Sequence, residues 1–166
     1  MTSAGLTIES PRIGQRIRFI ETAAESSGKR LVIEATMRPG AFMPPHVHLR
    51  QTEDFEIREG IGTFRVSGRQ RVARAGDSVH VPAGEPHRFR NRSDSNVRLR
   101  ATLSPALRTE ELFERLFRLG AEGRVNRLGA PNPIVTARLI REFREEFFYL
   151  ATVPVWIQRL LAGAHP

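Results

Sequence analysis

Four side chains that could bind one metal ion lie between residues 40 and 91: His46, His48, Glu53 and His87. His46 and His48 are two residues apart, so on an extended strand both imidazoles leave the same face, close enough to hold one ion. Glu53 follows His48 by an odd number of residues, so residues 50–52 must turn or bulge and place Glu53 on the next strand. His87 follows a Pro-Ala-Gly turn and begins an alternating run, so it should reach the ion from across a sheet.

This ligand set restricts the chemistry. Three neutral imidazoles and one carboxylate suit a single divalent transition metal, which could be Fe, Mn, Zn, Ni, Co or Cu. An octahedral ion would keep two open positions for water, substrate or dioxygen, and oxygen activation needs such adjacent positions. Each imidazole should donate its other N–H to an acceptor, for which Gln51, Asn91 and backbone carbonyls are candidates. Glu53 is also a candidate catalytic residue, as the general base beside a three-histidine metal.

Strand alternation predicts which neighbours share the site. Phe55 and Ile57 follow Glu53 on the same face, and Phe89 follows His87. A mainly apolar pocket would favour a small organic molecule over a phosphate or a free sugar. His80 alternates with valines and is predicted to point away from the ion. The full predicted pocket lining is Phe55, Ile57, Phe64, Val66, Phe89 and Leu99.

Short alternating segments separated by turn residues must position these side chains. Closely spaced strands with such turns argue for a sandwich or a barrel. Gly40, Gly60, Gly76 and Gly84 are interpreted as turn residues and not as phosphate-binding glycines, because no glycine-rich loop here opens a helix. The predicted strands are 6–9, 16–20, 30–37, 52–59, 63–67, 70–74, 77–81, 86–92 and 97–103.

Two segments resemble the signature motifs of the cupin family. The first is carried by Gly40, His46, His48, Glu53 and Gly60, and the second by Gly76, Pro82, Gly84, His87 and Asn91. The resemblance implies a mainly β fold, an antiparallel double-stranded β-helix (jelly-roll) barrel, with one divalent metal held in its mouth by His46, His48, Glu53 and His87. It covers residues 14–105.

The hydrophobic period changes to that of helices after this region. A helix is predicted behind Thr109 as N-cap, with Gly120 as its end, because Leu112, Phe113, Leu116 and Phe117 recur at helical spacing. Asn132 and Pro133 match an N-cap followed by the first helical position. They open a second helix with an apolar stripe of Ile140, Phe143, Phe147 and Leu150. A third short helix after Pro154 would carry Trp156, Leu160 and Leu161.

Length and composition indicate one domain with two appendages. The 166 residues divide into an N-terminal arm (1–13), the barrel (14–105) and a C-terminal helical extension (106–166). The extension could cover the barrel, contact a dimer partner or act as a lid. A homodimer is expected by family analogy. The chain has no Cys, no signal-peptide pattern and no apolar run of membrane-spanning length, so a soluble cytoplasmic protein without membrane association is expected.

The net charge of +8 raises the question of nucleic acid as a partner. Arg88, Arg90 and Arg92 alternate with His87 and Phe89, as on a strand with one solvated face. No helix-turn-helix, zinc-finger or aromatic stacking signature accompanies them, so no nucleic-acid partner is predicted.

Three functions therefore remain open for this sequence. The first is a metal-dependent oxygenase, similar to a dioxygenase, that acts on a small organic substrate. The second is a non-redox isomerase, cyclase or lyase that uses the ion as a Lewis acid. The third is a binding or sensing module without turnover. The fold cannot decide between them, since a fold does not determine function.

Overall fold

The protein is described by a computed structural model that covers residues 2–126, 129–146 and 148–149. These residues form eleven strands and two helices. The strands are β1 (Thr7–Ser10), β2 (Gln15–Glu21), β3 (Leu31–Met37), β4 (Phe42–Val47), β5 (Thr52–Glu59), β6 (Ile61–Val66), β7 (Arg69–Arg74), β8 (Ser78–Val81), β9 (His87–Arg90), β10 (Val97–Ser104) and β11 (Phe148–Tyr149). The helices are α1 (Thr109–Ala121) and α2 (Pro133–Glu142).

The strands form two antiparallel sheets. One has the order β1-β2-β3-β10-β5-β8 and the other the order β11-β4-β9-β6-β7. Strands far apart in sequence are neighbours in both sheets, as β3 is with β10 and β4 with β9. The predicted mainly β jelly-roll fold with C-terminal helices is confirmed.

The core lies between the two sheets and follows from the alternation of each strand. Along β10, Val97, Leu99, Ala101 and Leu103 are buried while the residues between them are exposed or half-buried. The same pattern turns Phe19, Phe55, Phe64 and Phe89 inward from four other strands. Burying large apolar side chains is the main favourable term in folding, so this cluster stabilises the barrel that holds the site.

Glycines permit two close approaches around β6. Gly60 has φ +80° in the turn before this strand, where a Cβ would lie 2.6 Å from the carbonyl oxygen of Asn96. At Gly62 a Cβ would lie 2.3 Å from the ring of Phe89. The four glycines interpreted as turn residues, Gly40, Gly60, Gly76 and Gly84, all have positive φ, which side-chain-bearing residues rarely adopt.

The N-terminal arm adds an edge strand to this chain's own barrel. Residues 7–10 form β1, which pairs antiparallel with β2 in the register Thr7 to Arg18 and Ser10 to Gln15. Ser10 also lies against Gly120 of α1, where a Cβ would be 2.0 Å from its hydroxyl. The arm therefore fills the space between the barrel and α1.

The helical extension starts as predicted but its details differ. Thr109 is the first residue of α1 and not its N-cap, and α1 continues past Gly120 to Ala121. Asn132 does cap α2, accepting a hydrogen bond from the backbone N–H of Val135.

The second helix is shorter than the predicted apolar stripe, so the prediction of its end is wrong. The helix ends at Glu142, and the chain then turns at Phe143. Phe147, Leu150 and the third predicted helix, with Trp156, lie outside the described residues or have side chains that are not described. No helix among the described residues is long and apolar enough to span a membrane.

Candidate metal centre

A bulge in β4 turns the first histidine inward. Met43 pairs with Phe89 and His46 pairs with His87, so β4 has one residue more than β9 between these pairs. The extra residue falls at Pro44-Pro45, and proline, which has no N–H to donate to the ladder, is tolerated at bulges. The bulge restores the inward face at His46, on the same side as Met43.

The other ligands come from three further places in the barrel. His48 directly follows β4, Glu53 is the second residue of β5 in the opposite sheet, and His87 is the first residue of β9. Residues 48–51 are not in a strand, as the odd spacing between His48 and Glu53 predicts.

The structure brings all four predicted ligands together. One ligand atom from each of His46, His48, Glu53 and His87 lies within 4.8 Å of all the others. Glu53 Oε2 lies 3.0 Å from His87 Nε2 and 3.3 Å from His48 Nε2. His48, Glu53 and His87 are buried, while His46 is half-buried.

These distances fit a shared ion. Two donors bound at about 2.1 Å and at right angles lie about 3.0 Å apart, which is the spacing of the Glu53 oxygen from the two imidazole nitrogens. Three imidazoles and one carboxylate also match the ligand preferences of divalent transition metals. The residues present therefore fit such a metal, whose identity the ligand set leaves open.

Backbone carbonyls orient all three rings. His46 Nδ1 lies 2.8 Å from the carbonyl oxygen of Pro44, and His87 Nδ1 lies 3.2 Å from that of Glu85. His48 Nδ1 contacts the carbonyl oxygen of Glu146. A carbonyl can only accept, so each Nδ1 carries a proton. The Nε2 atoms of His48 and His87 face the Glu53 carboxylate, and each would present its lone pair to an ion that replaced the Nε2 proton.

The cluster holds a buried negative charge. Burial is the largest influence on Glu53 and by itself would raise its pKa, but the hydrogen bonds and charges of His48 and His87 together outweigh burial and lower this pKa far below its ordinary value. Burial lowers the pKa of His46, and the neighbouring His87 and His48 lower it further. Burial is also the largest influence on His48 and opposes its charging, but the hydrogen bond and charge of Glu53, together with the hydrogen bond to the Glu146 carbonyl, raise the pKa of His48. A bound cation would neutralise the carboxylate that these contacts keep ionised.

The predicted pocket residues lie in the barrel interior, next to the ligands. Phe55, Ile57, Phe64, Phe89 and Leu99 are buried and Val66 is half-buried. The Phe55 ring is 5.0 Å from that of Phe64, and the Phe64 ring is 4.9 Å from that of Phe89. Phe55 also meets the ring of His87 edge-on at 6.3 Å. The ligands therefore rest on a packed aromatic core, and the role of these residues as a substrate lining stays a prediction.

Three further polar residues have places of their own. Gln51 donates to the carbonyls of Pro105 and Ala106 and not to a ligand, so it ties the loop before β5 to the start of the extension. Asn91 donates to the carbonyls of Met37 and Ser95, which fixes the loop after β9. Among the candidate acceptors, backbone carbonyls contact the Nδ1 atoms of all three histidines, and the Gln51 side chain also interacts with His48. His80 is exposed and pairs with Asp54 at 2.6 Å, away from the cluster, as predicted.

Sequence reasoning did not identify Glu146 as part of the site. It lies 98 residues from His48 and within the range predicted as the second helix. Neither spacing nor periodicity signals its approach, because the contact depends on where the extension packs. The nearest expectation from the sequence is the general one that backbone carbonyls accept hydrogen bonds from the imidazoles.

The comparison with known families agrees with this geometry. Residues 33–103 match the family model described as a cupin domain, Cupin_2. This chain contains a cupin domain. Solved structures similar to this cupin include an RmlC-like cupin from Shewanella frigidimarina, with 24% identity, a TM-score of 0.55 and coverage of 62% of this chain and 86% of that one. A predicted oxalate decarboxylase from Thermotoga maritima has 23% identity, a TM-score of 0.52 and coverage of 55% and 80%. These likenesses show the fold.

One curated relative has a named activity. This cupin is 38% identical over 76 residues to an epoxidase, atD, from Aspergillus terreus. The match covers 45% of this cupin and 23% of the epoxidase, so the shared part is about a quarter of that protein's length.

Proposed function

We propose that this cupin is a metal-dependent oxygenase that acts on a small organic substrate. The observation that carries the proposal is the convergence of His46, His48, Glu53 and His87, with one ligand atom of each within 4.8 Å of the others. Structural histidines usually occur singly, whereas here three have their Nδ1 atoms bound to carbonyls. The Nε2 atoms of His48 and His87 lie 3.3 Å and 3.0 Å from one oxygen of Glu53.

The residues of this chain would hold the metal in a defined way. The three Nε2 atoms and the carboxylate of Glu53 would bind a divalent transition metal, which when bound supplies redox chemistry with dioxygen. The carboxylate neutralises one of its two charges. The carbonyls that accept from Nδ1 fix the ring orientations and make the imidazoles better ligands.

The aromatic core next to the ligands supports chemistry away from bulk water. Phe55 meets His87 and continues into the Phe64 and Phe89 rings, so the inner side of the cluster is apolar. A water-poor site strengthens electrostatic interactions and protects reactive species from side reactions. Such surroundings suit an apolar or aromatic substrate with few polar groups.

The oxygenase is favoured over the non-redox alternative by the epoxidase relative. Epoxidation adds an oxygen atom to the substrate, and this cupin is 38% identical to part of a protein named for that activity.

Metal analysis combined with oxygen uptake tests the proposal. Protein purified without chelator should contain close to one Fe or Mn per chain. The metal-loaded protein should consume oxygen with at least one member of a panel of catechols, flavonols, 1,3-diketones and electron-rich alkenes. His80→Ala is the matched control, because this exposed histidine is paired with Asp54 and lies outside the cluster.

Two results would overturn the oxygenase. One is a stoichiometric zinc ion that supports turnover without oxygen uptake, which would favour an isomerase, cyclase or lyase. The other is flat oxygen traces with the whole panel from Fe-loaded and Mn-loaded protein, together with a ligand-induced melting shift, which would favour a binding module.

A further inference from the structure

The chain that follows α2 returns to the strand that carries the first metal ligand. Tyr149 of β11 pairs with His46, and Phe148 pairs with Val47. Three residues before Tyr149, the carbonyl oxygen of Glu146 accepts the hydrogen bond from His48 Nδ1. The C-terminal extension therefore contacts the metal centre directly.

His48 depends on this contact more than the other two histidines depend on theirs. The carbonyls that orient His46 and His87 belong to Pro44 and Glu85, each two residues earlier in the chain, so local backbone geometry supplies them. The carbonyl that orients His48 belongs to a residue 98 positions away. His48 also lies just beyond the end of β4, where its carbonyl oxygen accepts a backbone hydrogen bond from Gly84.

The side chain of Glu146 fixes this carbonyl in place. Glu146 is only 4% exposed, and its Oε1 accepts a hydrogen bond from the backbone N–H of Arg108 at 3.0 Å. Arg108 is the N-cap residue of α1, and its own side chain makes no capping hydrogen bond. A carboxylate at a helix N-terminus is stabilised by the helix dipole and by the free N–H groups there.

Packing against α1 holds the turn that carries Glu146. Phe143 is fully buried in a cluster with Leu112 and Leu139. The guanidinium groups of Arg108 and Arg115 lie 4.9 Å and 5.5 Å from the centre of the Phe143 ring. The packing of Phe143 against α1 therefore helps to set the position of the Glu146 carbonyl.

We propose that Glu146 is a positioning residue of the metal centre. Its carboxylate fastens the turn to the start of α1, and its carbonyl then keeps the proton of His48 on Nδ1 and the lone pair of Nε2 directed at the ion. The inference rests on the metal binding of the proposed function. It gives the helical extension a role in shaping the site.

Three variants separate anchoring from charge. Glu146→Ala removes the acceptor for the Arg108 N–H, and Glu146→Gln removes only the charge and keeps an oxygen acceptor. Glu145→Ala is the control, because this substitution changes the net charge by the same amount. Among the described residues, Glu145 forms an exposed ion pair with Arg50. Zn²⁺ and Mn²⁺ affinities are measured by competition with a chromophoric chelator.

We expect Glu146→Ala to bind metal about 10-fold to 100-fold more weakly than the unaltered protein, as is typical when a group behind a ligand is lost. Glu146→Gln and Glu145→Ala should stay within about twofold. An affinity of Glu146→Ala equal to that of the unaltered protein would overturn the proposal. So would an equal loss in Glu146→Gln, because the charge and not the anchor would then be responsible.

A second measurement needs no metal. At a pH high enough for His48 to be neutral, ¹⁵N-histidine NMR of the metal-free protein should show its proton on Nδ1, and Glu146→Ala should shift it toward a mixture of tautomers. An unchanged spectrum would overturn the proposal. If the unaltered protein binds no metal, the proposed function fails while this measurement still decides the role of Glu146. If Glu146→Ala does not fold, Glu146→Asp takes its place, because its side chain is one methylene shorter. We expect an intermediate loss of metal affinity in this variant, and an unchanged affinity would overturn the proposal.

Discussion

His46 and His87 are paired residues on β4 and β9, and their ring centres lie only 4.1 Å apart. The pairing follows from the Pro44-Pro45 bulge, without which residue 45 would occupy the place opposite His87. The two rings therefore owe their contact to one extra residue in β4. His87 is buried beside Phe55, while His46 is half-buried, so the pair lies where the apolar core meets the candidate site.

The first prediction concerns these two histidines. His46→Ala and His87→Ala should each weaken metal binding by more than about 100-fold, because loss of a ligand costs more than loss of a group behind it. Both variants should stay folded, since the buried apolar side chains between the two sheets are unchanged in each of them. Metal content by elemental analysis and thermal melting by circular dichroism check this. Unfolding of both variants would contradict it, and His80→Ala serves as the control.

The second prediction decides the role of Glu53. If Glu53 is a metal ligand, Glu53→Gln should weaken metal binding by more than about tenfold, because a neutral amide no longer balances the charge of the ion. A general base beside a three-histidine metal would instead leave the metal content intact and abolish turnover. Elemental analysis of the purified variant separates the two roles. Full metal occupancy would reject the ligand assignment.

The third prediction concerns the connection between barrel and extension. Gln51 is 1% exposed, and its amide nitrogen lies within hydrogen-bond distance of the carbonyls of Pro105 and Ala106 and of the hydroxyl of Thr109. Gln51→Leu should lower the free energy of unfolding by about 1–3 kcal/mol, because buried acceptors lose their donor. Urea denaturation measures the loss. Gln70→Leu, at an exposed position of β7, should change stability by less than about 0.5 kcal/mol, and a similar loss in both variants would contradict the prediction.

The fourth prediction concerns the contact between β6 and β9. Gly62→Ala should cost about 1–3 kcal/mol, because its Cβ would lie 2.3 Å from the ring of Phe89 in a filled core. Adding Phe89→Leu should recover part of the loss, so the two changes should not be additive. Urea denaturation of the two single variants and the double variant gives the coupling. Additive losses would show that the two residues do not press on each other.

Much of the site could be read from the sequence because its causes are local. Two histidines at a spacing of two, an odd step to Glu53 and a turn before His87 are constraints that the chain carries within a few residues. The four turn glycines adopt positive φ, and the strand alternation that predicts Phe55, Phe64 and Phe89 inside is found. Asn132 followed by Pro133 correctly marks the start of α2.

The predictions that failed depended on contacts between distant parts of the chain. Thr109 resembles an N-cap, yet its hydroxyl donates to Ala106 and accepts from Gln51. The N–H of the true N-cap, Arg108, is bound by the distant Glu146. The apolar pattern of the second helix continues past Glu142, but the chain turns there with Phe143 buried against α1.

The sequence by itself thus identified the four side chains of the cluster, the barrel that carries them and the apolar side on which they rest, because residue type, alternation and turn chemistry act over short stretches. Only the tertiary structure decided that the extension supplies the acceptor for His48. That contact joins residues 98 apart and exists because burial of Phe143 against α1 fixes the turn beside it. No local pattern of residues encodes such a placement.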